Sequence, residues 1–326
     1  MQSFEWADAT SVDEAIQLTV KGSVIKAGGM DVVDLMKEHL VAPTRLVNIL
    51  RIPGLDQITE DDKSIKIGPL VTLTQLSENP IVLKHATALA QAAGHAATPQ
   101  VRNMATLGGN LLQRPRCWYF RNEQFPCRKK GGEICYAQEG ENQYHAIFHN
   151  SLCAIVHPSA AATPLIALGG KIEITGAKDS KREVLIEEFI TPPSVDLHRE
   201  NSLKEGEIIT QIIVPKSGAK SFYIKQGEKE SFDWPVAECA VAMEMDGQAT
   251  KNVSIVLGAA APTPYRAKYA QDALTGKPIN ADTARAAAEA SMSGATPMRN
   301  NGYKVPLFKT IVTRTILACA GNGAAQ

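Results

Sequence analysis

Two stretches decide the fold of this chain: residues 24–37, VIKAGGMDVVDLMK, and residues 99–113, PQVRNMATLGGNLLQ. In the first, a short apolar strand runs into a glycine pair, Gly28 and Gly29, and then into an amphipathic helix. In the second, a glycine pair follows a threonine and precedes an asparagine. Glycine permits positive φ and lets backbone N–H groups approach a bulky anion, so each turn is a candidate phosphate site. A single Gly-Gly pair is more often a plain tight turn, and neither stretch has the G-x-G-x-x-G spacing of a Rossmann dinucleotide site.

The patterns around these stretches divide the chain into three units of an α+β protein. Residues 1–55 read as alternating helix and strand, which predicts a compact βαβ-like unit. Residues 56–218 contain strands, an alanine-rich helix at 85–97, and an insertion at 114–156 without apolar periodicity. An insertion of this length needs something other than an apolar core to order it. Residues 219–326 read as strands followed by three helices, which predicts a separate C-terminal domain of sheet and helices.

Charge and hydropathy exclude several function classes. Lysine plus arginine and aspartate plus glutamate each number 34, so the chain has no net charge. It therefore has no overall electrostatic attraction to nucleic acid or to an anionic membrane. No apolar run approaches the about 18 residues that a membrane span needs. The first 15 residues, MQSFEWADATSVDEA, are polar and acidic where a signal peptide would be basic and then apolar. We therefore expect a cytoplasmic protein, which would be periplasmic only if a partner subunit carried an export signal.

Four of the six cysteines fall inside the insertion, with nine, seven and seventeen residues between them: Cys117, Cys127, Cys135 and Cys153. In a cytosolic protein, clustered cysteines favour metal over disulfide, because thiols are kept reduced there. Four thiolates suit either an iron–sulfur cubane or a tetrahedral zinc ion, and the spacing lacks the C-x-x-C pairs typical of structural zinc sites and of bacterial ferredoxins. Disulfides or free thiols are the remaining alternative.

Other cysteines and histidines are weaker candidates. Cys239 and Cys319 lie in apolar segments and are predicted to be small buried hydrophobes. Three histidines, His145, His149 and His157, are near enough in sequence to be ligands, but four thiolates already complete a ligand set.

In context, the two quoted stretches resemble the FAD-binding signatures of the flavin subunit of the xanthine dehydrogenase and aldehyde oxidase family. The family patterns are approximately A-G-G-T-x-L and Q-[IV]-R-N-x-A-T-[IL]-G-G-N. The likeness continues through residues 257–267 (LGAAAPTPYRA), 274–278 (LTGKP) and 300–317 (NNGYKVPLFKTIVTRTIL), in the expected order. It covers essentially the whole chain.

That resemblance implies two α+β subdomains that bind an extended FAD between them, followed by the C-terminal domain. It implies that the first turn and the second turn wrap the pyrophosphate, and that further residues lie near the adenosine end or the flavin ring. The residues carried over are Lys26, Ala27, Gly28, Gly29, Met30 and Asp31 from the first turn, Ala105, Thr106, Gly108, Gly109 and Asn110 from the second, then Ser159, Ile209 and Lys225. The chain departs from the family pattern twice, with Met30 in place of a threonine and Ala160 in place of an aspartate.

The cysteine insertion resembles that of the cluster-bearing branch of this family, the 4-hydroxybenzoyl-CoA reductase and periplasmic aldehyde oxidoreductase type. The run RCWYFRNEQFPC, residues 116–127, carries this likeness. It implies that all four cysteines of the insertion bind a 4Fe–4S cluster. The aromatic run at 118–120 would then shield the cluster from solvent. Nearby basic residues would offset its thiolate charge or form a solvated face: Arg114, Arg116, Arg128, Lys129 and Lys130.

The function implied is that of an electron-transfer subunit in a heteromeric molybdenum hydroxylase. A large subunit would hold the molybdenum cofactor, a small subunit would hold 2Fe–2S clusters, and this chain would pass electrons through FAD. The flavin ring carries out such chemistry, so no catalytic acid–base pair is expected in this chain. The alternatives are a stand-alone flavin oxidase and an iron–sulfur or zinc scaffold that has lost FAD.

Overall fold

The computed structural model describes residues 1–229 and 232–321. Its N-terminal unit is a three-stranded parallel sheet, in the order β1-β3-β2, with two helices. The elements are β1 (Glu5–Asp8), α1 (Val12–Leu18), β2 (Ser23–Lys26), α2 (Val32–Lys37) and β3 (Arg45–Asn48). The alternation of helix and strand expected for residues 1–55 is present, and β1 is an additional strand. That strand is short and mostly exposed, so it has no alternating pattern to reveal it.

The middle unit contains a five-stranded antiparallel sheet in the order β4-β5-β8-β6-β7. Its strands are β4 (Ile58–Glu60), β5 (Ser64–Ile67), β6 (Lys171–Thr175), β7 (Lys181–Leu185) and β8 (Ile208–Pro215). Its helices are α3 (Leu73–Glu78), α4 (Pro80–His85), α5 (Thr87–Gly94), α6 (Pro99–Arg102), α7 (Leu107–Leu112), α8 (Trp118–Arg121), α9 (Ala162–Ala167) and α10 (Ile186–Phe189). The alanine-rich stretch forms α5, which is shorter than predicted because a non-helical residue, Ala86, separates it from α4.

The C-terminal unit has the predicted order of strands followed by three helices. Its antiparallel sheet has the order β12-β11-β10-β9. The elements are β9 (Lys220–Gln226), β10 (Ala237–Asp246), β11 (Ala249–Gly258), β12 (Tyr265–Arg266), α11 (Lys268–Leu274), α12 (Ala281–Ser291) and α13 (Lys304–Ala320).

Strand β10 contributes to two hydrophobic cores because successive side chains of a strand point to opposite faces. Cys239 and Val241 pack with the helices α11, α12 and α13, and both are fully buried. Ala240 and Ala242 pack in the core of the middle unit. The C-terminal sheet is therefore covered on both faces, and it joins the middle unit to the C-terminal helices. Cys319 is buried among those helices, as predicted for both downstream cysteines.

The insertion has little regular structure, apart from α8 and a 3₁₀ turn at Arg128–Lys130. Polar contacts with the C-terminal unit hold it in place. The buried Lys304 donates from Nζ to the carbonyls of His145 (3.0 Å) and Ala259 (2.6 Å). Asn301 donates from its amide to the carbonyls of His145 and Ala146. The insertion is thus held by these hydrogen bonds together with apolar packing, in which Phe120 and Cys127 contact Leu35 of α2 and Ile147 and Phe148 join the C-terminal core.

Within residues 1–229 and 232–321, no helix has both the length and the apolar character that crossing a bilayer requires.

Candidate functional site

The two glycine turns touch each other. A Cβ atom added to Gly28 would lie 1.9 Å from the carbonyl oxygen of Met104, immediately before the second turn. Only glycine allows this approach of the two backbones. The next residue, Gly29, has φ of +82°, a conformation that favours glycine. Both glycines of the first turn are therefore required by the local geometry.

The first turn presents unused backbone donors. Among the residues that the structure describes, the N–H groups of Gly28, Gly29, Met30 and Asp31 donate to no protein acceptor. Successive N–H groups in a glycine turn form a concave surface that binds anions such as phosphate. Met30, which replaces a family threonine, is 43% exposed and adds no hydroxyl. The anion-binding capacity of this turn thus resides in its backbone.

Lys26 precedes this turn and is half-buried. Burial lowers the pKa of its ammonium, while the carboxylate of Asp8 acts in the opposite direction. Its Nζ lies 5.3 Å from the centroid of the Trp6 ring, within the range of a cation–π interaction. Ala27 follows it and is half-buried in the strand-to-turn connection.

The second turn differs, because its backbone donors from Leu107 onwards are already used. The N–H groups from Leu107 to Asn110 all donate within the protein. Their acceptors are, in order, the Val71 carbonyl (2.8 Å), the Pro69 carbonyl (2.9 Å), the Thr106 hydroxyl (3.2 Å) and the Thr106 carbonyl (2.8 Å). The carbonyl of Ala105 accepts from Leu73 at 2.9 Å. This turn therefore has no backbone N–H left for a ligand between Leu107 and Asn110.

Two side chains of the second turn keep donor capacity. The Thr106 hydroxyl accepts from Gly109 and still has its own proton. The Oδ1 atom of Asn110 accepts from the Ser159 hydroxyl at 2.8 Å and from the N–H of Ala161 at 3.1 Å. The Nδ2 group of Asn110 has no acceptor among the described residues. Ser159 is buried, and its contact fixes which end of the Asn110 amide faces outward.

Asp31, at the end of the first turn, is bound to the insertion. Its carboxylate accepts from the backbone N–H of Arg114 (2.8 Å) and pairs with Arg116 (2.8 Å) and Arg121 (2.6 Å). The side chain is therefore committed to protein contacts, and only its backbone is available to a ligand. Arg121 was not singled out from the sequence, since nothing in its neighbours distinguishes it from a surface arginine.

The predicted flavin-ring residues lie in the middle and C-terminal units. Ile209 is 3% exposed and packs in the largest core. Lys225 is half-buried, donates from Nζ to the His95 carbonyl at 2.9 Å, and is not an exposed strand lysine. Burial lowers the pKa of Lys225, and the nearby carboxylates of Glu238 and Asp233 oppose that shift.

Glu238 is the cross-strand partner of Lys225 and was missed from the sequence. It is 2% exposed, and burial raises the pKa of its carboxyl to about 7. The Tyr223 hydroxyl donates to it at 2.7 Å. Its position in the apolar half of β10, Ala237 to Met243, is the sequence signal that could have drawn attention to it.

The four cysteines of the insertion line one small cavity. Tyr119, Phe120, Tyr136 and His145 also line this cavity. All six cysteines are described by the structure, and all are free thiols. Among the described residues, no three histidine, cysteine, aspartate or glutamate side chains are grouped closely enough to hold a single metal ion.

Backbone N–H groups face the sulfur atoms of this cavity. Burial raises the pKa of the Cys117 thiol to about 12, while the nearby N–H groups of Phe120 and Tyr119 act in the opposite direction. Cys117 is the residue that precedes α8, although its side chain makes no capping hydrogen bond to that helix. N–H donors of this kind stabilise a thiolate.

Cys135 and Cys153 form a hydrogen-bonded pair. The Cys153 thiol lowers the pKa of Cys135 to about 6, with further help from the N–H groups of Ala154 and Ala137 and from the charge of Arg128. The same interaction and burial raise the pKa of Cys153.

Most of the basic residues in the insertion are paired rather than solvated. Glu200 pairs with Arg114 at 3.0 Å and with the buried Lys129 at 2.8 Å. Arg128 donates to the carbonyl of Leu152 at 2.9 Å, and Lys130 donates to the carbonyl of Asn122. Glu200 lies far from the insertion in sequence, and no sequence pattern marks it.

The aromatic run of the insertion is only partly a lining of the cavity. Phe120 is 2% exposed and lines it together with Tyr119. Trp118 instead makes edge contacts with the rings of Tyr144 and His145.

Comparison with known proteins agrees with this geometry. Residues 2–217 match the family described as the FAD binding domain in molybdopterin dehydrogenase. Residues 222–319 match the CO dehydrogenase flavoprotein C-terminal domain. The chain is 32% identical over 311 residues to the aldehyde oxidoreductase FAD-binding subunit PaoB of Escherichia coli strain K12, covering 94% of this chain and 93% of that protein. It is 27% identical over 323 residues to the carbon monoxide dehydrogenase medium chain of Hydrogenophaga pseudoflava, covering 97% and 96%.

Solved structures confirm the predicted fold class. A chain of the Hydrogenophaga pseudoflava carbon monoxide dehydrogenase that lacks the Mo-pyranopterin moiety has a TM-score of 0.77 at 27% identity, covering 99% of both chains. A chain of quinoline 2-oxidoreductase from Pseudomonas putida 86 has the same TM-score at 23% identity, covering 98% of both, and shows the same fold. The chain therefore belongs to the family of FAD-binding subunits of molybdopterin dehydrogenases, and it is the FAD-binding component of an oxidoreductase.

Proposed function

We propose that this chain binds both FAD and a 4Fe–4S cluster, and that it passes electrons between partner 2Fe–2S clusters and an acceptor or donor. The observation that carries the proposal is the pair of adjoining sites: a glycine turn with free N–H groups, tied through Asp31 to an insertion whose four thiols line one cavity.

The residues fit an FAD pyrophosphate at the contact between the turns. Lys26 and Ala27 lead into the turn, the backbone from Gly28 to Asp31 donates N–H groups, and Gly28 leaves the space that a Cβ would fill. From the second turn, the Thr106 hydroxyl and the Asn110 amide donate, while Ala105, Gly108 and Gly109 keep the backbone close. Ser159 orients Asn110.

Two further residues would act at the flavin ring. Ile209 would pack near the isoalloxazine, and Lys225 would place a positive charge beside it, held by the His95 carbonyl. Such a charge favours an anionic reduced flavin. The alanine at position 160 removes the family carboxylate near the adenosine end, so Ser159 and Asn110 take over the polar contacts there.

The residues also fit a cubane cluster. Cys117, Cys127, Cys135 and Cys153 line one cavity and have the chemistry of a Cys₄ ligand set. In a cubane each thiolate binds a different iron, so the sulfurs lie farther apart than around one zinc ion. The likeness of residues 116–127 to the cluster-bearing branch favours a cluster over a single zinc ion.

FAD and the cluster, when bound, supply the electron-transfer chemistry. The protein's own residues bind and orient these groups and keep water out. Phe120 and Tyr119 cover the cysteine cavity, and the N–H groups facing the sulfurs stabilise thiolate charge. Asp31 links the two sites through Arg114, Arg116 and Arg121, so that their separation is set by ion pairs.

The partners proposed are a large molybdenum-cofactor subunit and a small 2Fe–2S subunit. The relatives' own descriptions as medium chains and FAD-binding subunits support this assembly. The proposed division of labour places FAD between residues 1–55 and 56–218, with residues 219–326 as the C-terminal domain. We propose the cytoplasm as its compartment, or the periplasm if a signal-bearing partner exports it.

The test is cofactor analysis of the complex purified with its partners. We expect flavin absorption with a broad iron–sulfur shoulder, four irons and four sulfides per chain beyond those of the 2Fe–2S clusters, and molybdenum in the large subunit. Cys127→Ser should lose the additional iron while keeping FAD, and Cys319→Ala, outside the insertion, should keep both. Zinc in place of the additional iron would contradict the cluster, and absence of flavin would contradict the FAD site.

A further inference from the structure

We infer that His145 is a positioning residue of the cysteine cavity: its Nε2–H donates to the Cys117 sulfur and raises the reduction potential of the cluster held there. This inference rests on the proposed cluster.

The geometry around the imidazole ring carries the inference. Nε2 of His145 lies 3.2 Å from Sγ of Cys117. The side chain is 3% exposed and lines the cavity. Its other nitrogen, Nδ1, is buried and has no hydrogen-bond partner among the described residues. A thiolate that ligates iron can only accept a hydrogen bond, so this contact requires the proton on Nε2.

The C-terminal unit holds the ring in place. The carbonyl of His145 accepts from Lys304 Nζ at 3.0 Å and from the Asn301 amide at 3.1 Å. Its N–H donates to the carbonyl of Asn142 at 3.1 Å. The ring also packs edge-on against Trp118, with centroids 5.1 Å apart. The backbone and ring are thus fixed independently of Cys117, which leaves the Nε2–H aimed at the sulfur.

The physical consequence follows from charge. Reduction adds an electron to the cluster and makes it more negative. A hydrogen-bond donor to a ligand sulfur stabilises this reduced state. His145 adds a side-chain donor to the backbone N–H groups of Tyr119 and Phe120 that already face the same sulfur. Removing the side-chain donor should therefore lower the potential without removing a ligand.

The competing role for His145 is that of a direct iron ligand. Four thiols already line the cavity, so that role would leave one cysteine unused. The two roles differ in outcome: loss of a donor changes the potential of an intact cluster, whereas loss of a ligand removes or degrades the cluster.

The experiment is a redox titration followed by electron paramagnetic resonance on the complete complex, for wild type, His145→Leu and His145→Gln. Tyr144→Phe is the matched control, because the neighbouring hydroxyl contacts Glu228 and not a cysteine. We expect full iron and sulfide content in all four proteins. At a fixed potential, His145→Leu should lower the ratio of reduced to oxidised cluster about tenfold, a shift of 59 mV for one electron. His145→Gln, which keeps an N–H donor, should recover most of that shift, and Tyr144→Phe should match wild type.

Two results would overturn the inference: an unchanged potential in His145→Leu with the cluster intact, or loss of the cluster from both His145 variants. A wild-type complex without the additional iron would instead contradict the proposed cluster itself, and the iron analysis of wild type separates that failure from the other two.

Discussion

The two glycine turns are alike in sequence and differ in what they leave free. In the first, the N–H groups from Gly28 to Asp31 have no acceptor among the described residues. In the second, every N–H from Leu107 to Asn110 is used inside the protein, and the donors left without an acceptor among the described residues are the Thr106 N–H and side-chain groups. The same dipeptide therefore serves ligand binding in one place and close backbone packing in the other. At Gly108 a Cβ would lie 2.9 Å from the Cβ of Pro69, which shows that packing role.

The largest effect should come from the contact between the turns. Gly28→Ala would force a Cβ against the Met104 carbonyl, and backbone must then move. We expect a loss of more than about 3 kcal/mol in the free energy of unfolding. Adding atoms to a packed site is most destabilising where the neighbour is backbone, which cannot move aside like a side chain. The purified protein should contain little flavin, measured as the absorbance near 450 nm per chain. Gly302→Ala, where a Cβ would meet nothing within 4 Å, is the control. Retention of flavin at wild-type stability would show that the turns do not depend on each other.

The next largest effect should come from the link between the first turn and the insertion. Asp31→Ala removes the carboxylate that lies closest to Arg116 and Arg121. We expect the free energy of unfolding to fall by about 2 kcal/mol, because these side chains are largely buried. Asp34→Ala is the matched control, since it pairs with the same arginines but is 45% exposed, and it should cost less than about 1 kcal/mol. Denaturant unfolding measures both. Equal losses would mean that Asp31 has no special part in joining the two sites.

Asn110→Asp isolates the donor of the second turn. The aspartate keeps an oxygen for Ser159 and Ala161 but replaces the outward NH₂ group with negative charge. We expect FAD to bind about tenfold more weakly, with a change in unfolding free energy within about 0.5 kcal/mol. Flavin titration of the apoprotein, monitored by fluorescence quenching, gives the affinity. An affinity equal to that of wild type would place the spare donor away from FAD.

The smallest effect should come from Thr106, which caps α7. Thr106→Val removes the acceptor of the Gly109 N–H, and we expect a loss of about 1 kcal/mol together with weaker flavin binding. Thr106→Ser keeps the hydroxyl and should behave like wild type. If the valine variant bound FAD as tightly as the serine variant, the hydroxyl would serve only the helix cap.

Much of the fold was predictable because its signals are local. Strand-to-helix turns with glycine, the apolar run of β10 and the three C-terminal helices follow from turn residues, run length and the period of 3.6 residues. The break at Ala86 and the strand β1 were not predictable, since each depends on neighbours distant in sequence that decide between helix, strand and loop.

The residues of the candidate site also fall into those that the sequence could reveal and those that it could not. The four cysteines and both glycine pairs were found by residue type and order, because thiols and glycines have few ordinary reasons to cluster. The ion pairs of Arg121 and Glu200, and the buried pair of Lys225 and Glu238, were not found, since a charged residue carries no local sign of its partner.

The sequence by itself determined which chemical groups this protein has and in what order: two glycine turns, four clustered thiols, and a family whose members bind FAD. Only the tertiary structure decided which of those groups remain available. Whether an N–H, an amide or a carboxylate can meet a ligand depends on whether the folded chain already satisfies it. The partners in question, such as the Pro69 carbonyl that accepts from Gly108 and the arginines that donate to Asp31, come from segments far away in sequence.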